Sequence, residues 1–248
     1  MKNTHQEYYT PNDNELDLNK NICVFDVLKM LQRVTFSHSN ILKLDHGSML
    51  EKSNAFWVVT KMKYIVNNPI GANEKVLLKT WTQIPSSVRF LRDIQIKKSN
   101  KILVKAVSEW CCLDYTTHTL RRSNSICYPD LEMVKTNSNN LKFSNPRIEV
   151  CGKDYVYTKI VRATDIDVNN HTNNLKYTNI AMDAFTVKEL QNRLIKEYEI
   201  YFVNQSYEGD AIDVFKKKVG SGFYIEGRVQ DKTIFKVVLK FKSIKKEE

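Results

Sequence analysis

The sequence predicts an α+β fold built twice over. Three features carry this: a helical apolar period near the N-terminus, strand-like runs joined by short turns, and the same helix-then-strands order in the C-terminal half. Val24, Leu28, Leu31 and Thr35 recur at spacings of three and four, with Val27, Val34 and Ile41 alongside, so Cys23 to Leu44 reads as a helix with Asn21 or Asp26 at its start. Residues 1–20 read as a polar lead-in.

Four strand candidates follow the first helix: Phe56 to Val66, Lys75 to Thr82, Val88 to Lys97 and Ile102 to Tyr115. They are rich in β-branched and aromatic residues and are separated by Asn67-Asn68-Pro69, Pro85-Ser86-Ser87 and Ser99-Asn100. Connections this short favour antiparallel pairing. The segment 129–147 holds Pro129, Pro146 and the polar run Lys135 to Asn140, and reads as a linker. It divides the chain into an N-terminal domain, 1–128, and a C-terminal domain, 148–248. The second half begins with a short strand, Asp154 to Val161, then a helical stretch from about Asn174 to Leu194. Strands over Lys196 to Val203, Ala211 to Val219, Phe223 to Val229 and Thr233 to Ile244 close it. A sequence echo accompanies the repeat: Asp17-Leu18-Asn19-Lys20-Asn21 precedes the first helix, Asp167-Val168-Asn169-Asn170-His171 the second.

Composition removes several function classes. Seven glycines and no GxxxxGK[ST] or GxGxxG argue against a phosphate-cradling loop. No apolar run approaches the roughly 20 residues of a membrane helix. The first residues lack the basic-then-apolar pattern of a secretory signal, so a cytoplasmic location is expected. Five cysteines (Cys23, Cys111, Cys112, Cys127 and Cys151) show no CxxC, so neither a disulfide framework nor a zinc site is expected, and they read as small buried apolar residues. No metal or organic cofactor is implied. The net charge of +10 favours an anionic partner. No nucleic-acid-binding motif accompanies the charge, which leaves an acidic protein or a solvated basic surface.

The densest chemistry lies in Asp165 to Tyr177, DIDVNNHTNNLKY, where a strand gives way to a helix. Backbone N–H groups at a helix start are unpaired and can stabilise an oxyanion, and Asn and Asp also cap helices, so the residues alone allow either a site or a capped polar loop. The spacing of Asp165, Asp167, Asn169, His171, Asn173, Asn174 and Tyr177 resembles the signature of the acyl-ACP thioesterase family. The likeness extends to FWVVTKMKYIV with EKVLLKTW, to SEWCCLDYTTHTLRR and to the glycine–aspartate turn in YEGDAI, covering roughly residues 20 to 245.

The resemblance implies two tandem hot-dog domains, each a long helix wrapped by an antiparallel sheet. It implies hydrolysis of a fatty acyl thioester on acyl carrier protein, releasing the fatty acid and the phosphopantetheine thiol. Asp167 then orients water or acts as base or nucleophile, Asn169 contacts the carbonyl or the water, and His171 shares the water or holds the other two. Backbone N–H groups near Asn173 and Asn174 are oxyanion candidates, while the Asn173, Asn174 and Tyr177 side chains read as structural.

Two departures qualify the match. Where the family places a glutamate four residues before the turn glycine, this chain has Gln205, which cannot take a proton as a carboxylate can but can still hydrogen-bond and position the water, and so counts with Asp167, Asn169 and His171 as a site residue; Glu208 is the nearest carboxylate. No cysteine follows His171, so a thiol nucleophile there is excluded. His5, His38, His46 and His118 read as surface or capping residues, His38 being the one placed to line an acyl channel. The N-terminal domain is expected to house the acyl chain, lined from Val24 to Val34, Phe56 to Val66 and Trp81 to Phe90. Arg121, Arg122 and Lys216 to Lys218 are candidate contacts for an acidic carrier protein. An acyl-CoA thioesterase and a non-catalytic acyl-binding protein are the alternatives, and both monomer and homodimer remain open.

Overall fold

The computed structural model describes residues 3–131 and 139–243. Most of the run Lys135 to Asn140, and Ile244 at the end of the last expected strand, lie outside the described residues. Contacts cluster the chain into two compact units. The first comprises Met1–Pro11, Lys29–Asn68 and Asn73–Lys142; the second comprises Asn12–Leu28, Pro69–Ala72 and Phe143–Glu248.

In the N-terminal half the elements are β1 (Thr4–Tyr9), α1 (Val24–Ile41), α2 (His46–Ser53), β2 (Ala55–Val66), β3 (Val76–Thr82), β4 (Phe90–Lys98), β5 (Lys101–Asp114) and the short β6 (Leu120–Arg121). The first unit's sheet runs β1-β3-β4-β5-β2, all antiparallel, with β6 beside β5. In the C-terminal half come β7 (Tyr155–Ile160), α3 (Asn174–Met182), α4 (Val187–Leu190), β8 (Arg193–Phe202), β9 (Ala211–Val219), β10 (Gly222–Val229) and β11 (Lys232–Ser243). The second unit's order is β7-β9-β10-β11-β8, again antiparallel. The two orders are the same when strands are matched in sequence, so the expected internal repeat is present. Each half is an α+β unit of the tandem hot-dog kind, with a helix against an antiparallel sheet.

Strand alternation explains the packing. On the first unit's sheet Met62, Tyr64, Leu78, Ile94, Ile96, Val104 and Ala106 are buried. They share the face that meets α1, as the Arg92 contact with His38 shows. The opposite face carries Lys61, Lys63, Asp93 and Glu109, and residues 139–142 of the expected linker lie against it. Asn139 is buried there, its Nδ2 donating to the Ile94 and Ala106 carbonyls (2.8 Å each) and its Oδ1 accepting from Gln95 (2.8 Å). Lys63 Nζ donates to the Lys142 carbonyl. In the second unit α3 and the turn after it pack through rings: Tyr177 on Phe235 (5.4 Å between centroids), and Phe185 on Phe223 and Phe241 (5.2 and 5.5 Å). Gly227 makes room for this layer, since a Cβ there would meet the Phe235 ring at 2.2 Å.

Four sequence expectations change. The polar lead-in contains β1, whose exposed and half-buried residues pair with β3 at the sheet edge and leave little apolar signal. The stretch Asn174 to Leu194 is not one helix. It stops at Met182, and Thr186 starts the separate turn α4 by accepting the Glu189 N–H while Glu189 accepts the Thr186 N–H; Arg193 and Leu194 then pair with β11. His38 is not a surface residue: it is 1% exposed and stacks on His5. Of the cysteines only Cys112 is buried; Cys127 and Cys151 are exposed, because both lie in loops that no apolar layer covers.

Two expected outcomes follow from this packing. Asn139→Ala removes three side-chain hydrogen bonds from a buried site, and denaturant unfolding should show a loss of about 1–3 kcal/mol with an unchanged m-value. Gly227→Ala should lower stability by a similar about 1–3 kcal/mol, through displacement of the Phe235 ring.

Candidate functional site

The segment following β7 is a chain of local turns. Ala163–Asp165 forms a 3-10 turn closed by Asp165, whose Oδ2 accepts the Arg162 N–H and the Lys159 ammonium at 3.0 Å each. Burial opposes its ionisation, but those two donors hold the carboxyl below its usual range. The first acid of the motif therefore has a structural post. The second, Asp167, closes the next turn. Its Oδ1 accepts the Asn169 N–H (2.8 Å), its own N–H reaches the His171 carbonyl (2.9 Å), and Asn170 adopts a left-handed φ of 62° that Asn tolerates. His171 Nδ1 lies 3.7 Å from Asp167 Oδ1. Asp167, Asn169 and His171 thus sit in one tight loop. The Asp167 and His171 side chains are largely covered, and Asn169 is exposed. Val168 at the tip is 100% exposed.

A buried hydroxyl cluster anchors this loop. The Thr172 N–H donates to the Ser206 carbonyl (2.8 Å), and the Thr172 and Ser206 hydroxyls are 2.7 Å apart. The Tyr177 phenol oxygen lies 2.9 Å from Ser206 Oγ and accepts the Ser206 N–H at 3.1 Å. Burial pushes the Tyr177 phenol up, so it stays protonated as a hydrogen-bonding group. Beyond Ser206 the chain turns at Gly209, φ 88°, where the Gly209 N–H meets the Val161 carbonyl and the Val161 N–H meets Asp210. The 205–210 loop is therefore tied to both ends of the motif loop. Gln205 stands one residue from the Thr172–Ser206 pairing, exposed, with its Oε1 accepting from the Tyr207 hydroxyl (3.1 Å).

The oxyanion expectation narrows. The Asn173 N–H is spent on the Asp165 carbonyl (2.8 Å), while Asn173 Oδ1 caps Leu175 (2.9 Å). The Asn174 N–H meets no acceptor among the described residues and is the donor left at that helix start. Sequence reading missed Thr172 and Ser206. They lie 34 positions apart and carry ordinary residue types, so only the fold joins them.

The earlier echo has the same backbone. Asp17 Oδ1 accepts the Asn19 N–H at 2.8 Å, Lys20 has φ 59°, and the bridge Leu16–Ile22 matches Ile166–Thr172. Here the asparagine is a staple. Asn19 Nδ2 donates to the Leu190 and Arg193 carbonyls, and Oδ1 accepts the Asn192 N–H. Burial pushes the Asp17 carboxyl up.

Elsewhere, Arg121 is paired with Asp114, Lys216 with Glu189, and Lys217 with the Glu149 carbonyl, so of the candidate partner contacts Arg122 and Lys218 are the exposed ones. Among the described residues no group of three His, Cys, Asp or Glu side chains is placed to hold a metal ion. No helix among them is long and apolar enough to cross a membrane.

Known proteins share both the sequence pattern and the fold. A chloroplastic palmitoyl-acyl carrier protein thioesterase of Arabidopsis thaliana is 24% identical over 200 residues, 76% of this chain and 48% of that protein. Oleoyl-acyl carrier protein thioesterase 2 of the same plant is 19% identical over 226 residues, 85% of this chain and 62% of its own length. The chain thus spans about half to three fifths of these relatives. Among solved structures, an acyl-ACP thioesterase from Bacteroides thetaiotaomicron superposes with a TM-score of 0.87 at 20% identity, covering 97% of this chain and 98% of that one. The 12:0-ACP thioesterase from Umbellularia californica superposes with a TM-score of 0.82 at 15% identity, covering 98% of each. The acyl-ACP thioesterase N-terminal domain matches residues 2–127 and the C-terminal domain matches residues 151–243, and the chain belongs to the acyl-ACP thioesterase family.

Proposed function

We propose that the chain hydrolyses a fatty acyl thioester carried on the phosphopantetheine of acyl carrier protein, at the loop of Asp167, Asn169 and His171. The observation that carries this reading is the loop itself. A carboxylate, an amide and an imidazole are gathered within five residues at a helix entrance and braced by the Tyr177–Ser206–Thr172 cluster.

Asp167 Oδ1 is occupied in holding the turn, so Oδ2 is the oxygen left to receive a proton from water. Water adds to the thioester carbonyl carbon as Asp167 takes its proton. The Asn174 N–H and the Asn169 amide are the donors offered to the oxyanion. Collapse breaks the C–S bond, the thiolate leaves with the electron pair, and it is reprotonated by Asp167 or solvent. His171 shares the water or holds Asp167. Gln205 positions the water without accepting its proton, which leaves Asp167 as the base. The N-terminal domain, residues 1–128, houses the acyl chain, residues 129–147 link the halves, and the C-terminal domain, residues 148–248, supplies the chemistry. Gln205 in place of a carboxylate also supports a second reading, acyl binding without turnover. An acyl-CoA substrate is the third.

Release of free fatty acid from a panel of acyl-ACP substrates separates these. The wild type should turn over, and Asp167→Ala should lose roughly 10²–10⁴ of kcat/KM. Absence of turnover on any chain length by the folded wild type would leave the binding reading. Matched acyl-CoA substrates should give the lower kcat/KM, and the reverse order would move the assignment to coenzyme A. Gln205→Glu should raise kcat and shift the acidic limb of its pH profile if a second carboxylate serves as base, and an unchanged profile would leave that role to Asp167 alone. Tyr177→Phe removes the phenol oxygen from a buried cluster. Unfolding should show a loss of about 1–3 kcal/mol.

A further inference from the structure

On the face of the first unit's sheet that meets α1, one row is polar across three strands, and Thr80 adds a buried hydroxyl beside Ile94 in the next. Strand register places Thr82 beside Arg92 and Arg92 beside Ser108, all buried. Asn3 extends the row: its Oδ1 accepts the Thr82 N–H at 3.1 Å and the Thr82 hydroxyl at 2.5 Å. On one side the neighbouring rows hold Ile94 with Ala106 and Ile96 with Val104; on the other, Phe90 faces Trp110. The helix repeats the pattern, with buried Leu31 and Val34 leading to His38. Arg92 Nη1 donates to His38 Nδ1 at 2.7 Å and lies 3.4 Å from Thr80 Oγ1.

Arg92 is 5% exposed, and among the described residues no carboxylate pairs with it. Its neighbour Asp93 falls on the opposite face by strand alternation and is held by Gln83 (2.7 Å) and the Asn139 N–H (3.2 Å). Burial pulls the guanidinium down to about 10, still charged at neutral pH. A hydrocarbon chain gains with every methylene it buries, until it covers a charged group whose N–H donors it cannot satisfy.

We propose that Arg92, with His38, Thr82 and Ser108, is a polar stop that sets the longest acyl chain the first unit accommodates between α1 and its sheet. This rests on the reading of the chain as one that takes fatty acyl groups. The methyl end packs along the apolar pairs Ile96–Val104 and Ile94–Ala106 and halts at the guanidinium, so Arg92 acts as a specificity-determining residue.

The test is binding of free saturated fatty acids, roughly eight to eighteen carbons long, to the full chain by calorimetry, with acyl-ACP hydrolysis measured in parallel. Wild-type affinity should rise with length and then break. Arg92→Met and Arg92→Gln, each checked for folding by its thermal melt, should both move the break longer by about two carbons or more. Arg92→Lys, which keeps the charge, should leave it in place. A break that stays put in folded Met or Gln variants, one that moves in the Lys variant, or a wild type with no break or no binding would overturn the stop. Binding with a movable break but no hydrolysis of any acyl-ACP would sink the hydrolase reading and leave the stop standing.

Discussion

The geometry of the candidate site depends on one buried oxygen, the Tyr177 phenol. It lies between the Ser206 hydroxyl and the Ser206 N–H, and Ser206 in turn holds Thr172 through its carbonyl and its side chain. Each partner is buried, so none of these groups has water as an alternative, and the network is satisfied only when the helix, the motif loop and the 205–210 loop meet. The loop of Asp167 to His171 is short and strongly turned, and hydrogen bonds inside it fix its shape. Its tie to the 205–210 loop comes from the phenol cluster, through Thr172 and Ser206.

The two halves show how one backbone serves two ends. Both loops close an aspartate turn, both hold a left-handed residue at the fourth position, and both feed a helix. In the first copy Asn19 spends its whole amide on the Leu190–Arg193 turn. In the second, the Asn169 amide is exposed and forms no such staple among the described residues. The difference is one of side-chain neighbours, since the main-chain path is common to both.

The helix-facing layers of the two units differ in what they bury. Around Phe235 the second unit is filled by aromatic rings over a glycine. The first sets a guanidinium against an imidazole nitrogen and the Thr80 hydroxyl. Replacing such a buried charge with an apolar side chain of similar size is often stabilising, so a buried arginine without a carboxylate is weak support for the fold and fits a role in limiting what else enters.

Much of this protein was legible in its sequence because the signals are local. The strands from Ala55 to Asp114 and from Ala211 to Ser243 announce themselves by β-branched residues between turns, and α1 by its period. The motif loop is readable because its spacing is that of a turn bonded to itself: aspartate, then the amide it caps two residues on. Four features needed the tertiary structure. β1 is a sheet edge whose pairing partner, β3, lies some seventy residues away. The break between α3 and α4 is set by Phe185 packing on strands far along the chain. Thr172 with Ser206, and His38 with Arg92, are joined across 34 and 54 positions, and residues of those types at those distances carry no pattern until folding makes them neighbours. Local periodicity and turn chemistry act within a few residues, so the sequence by itself determined the elements and the loop. Burial acts between elements, so only the tertiary structure decided which polar groups are walled in together and must satisfy one another.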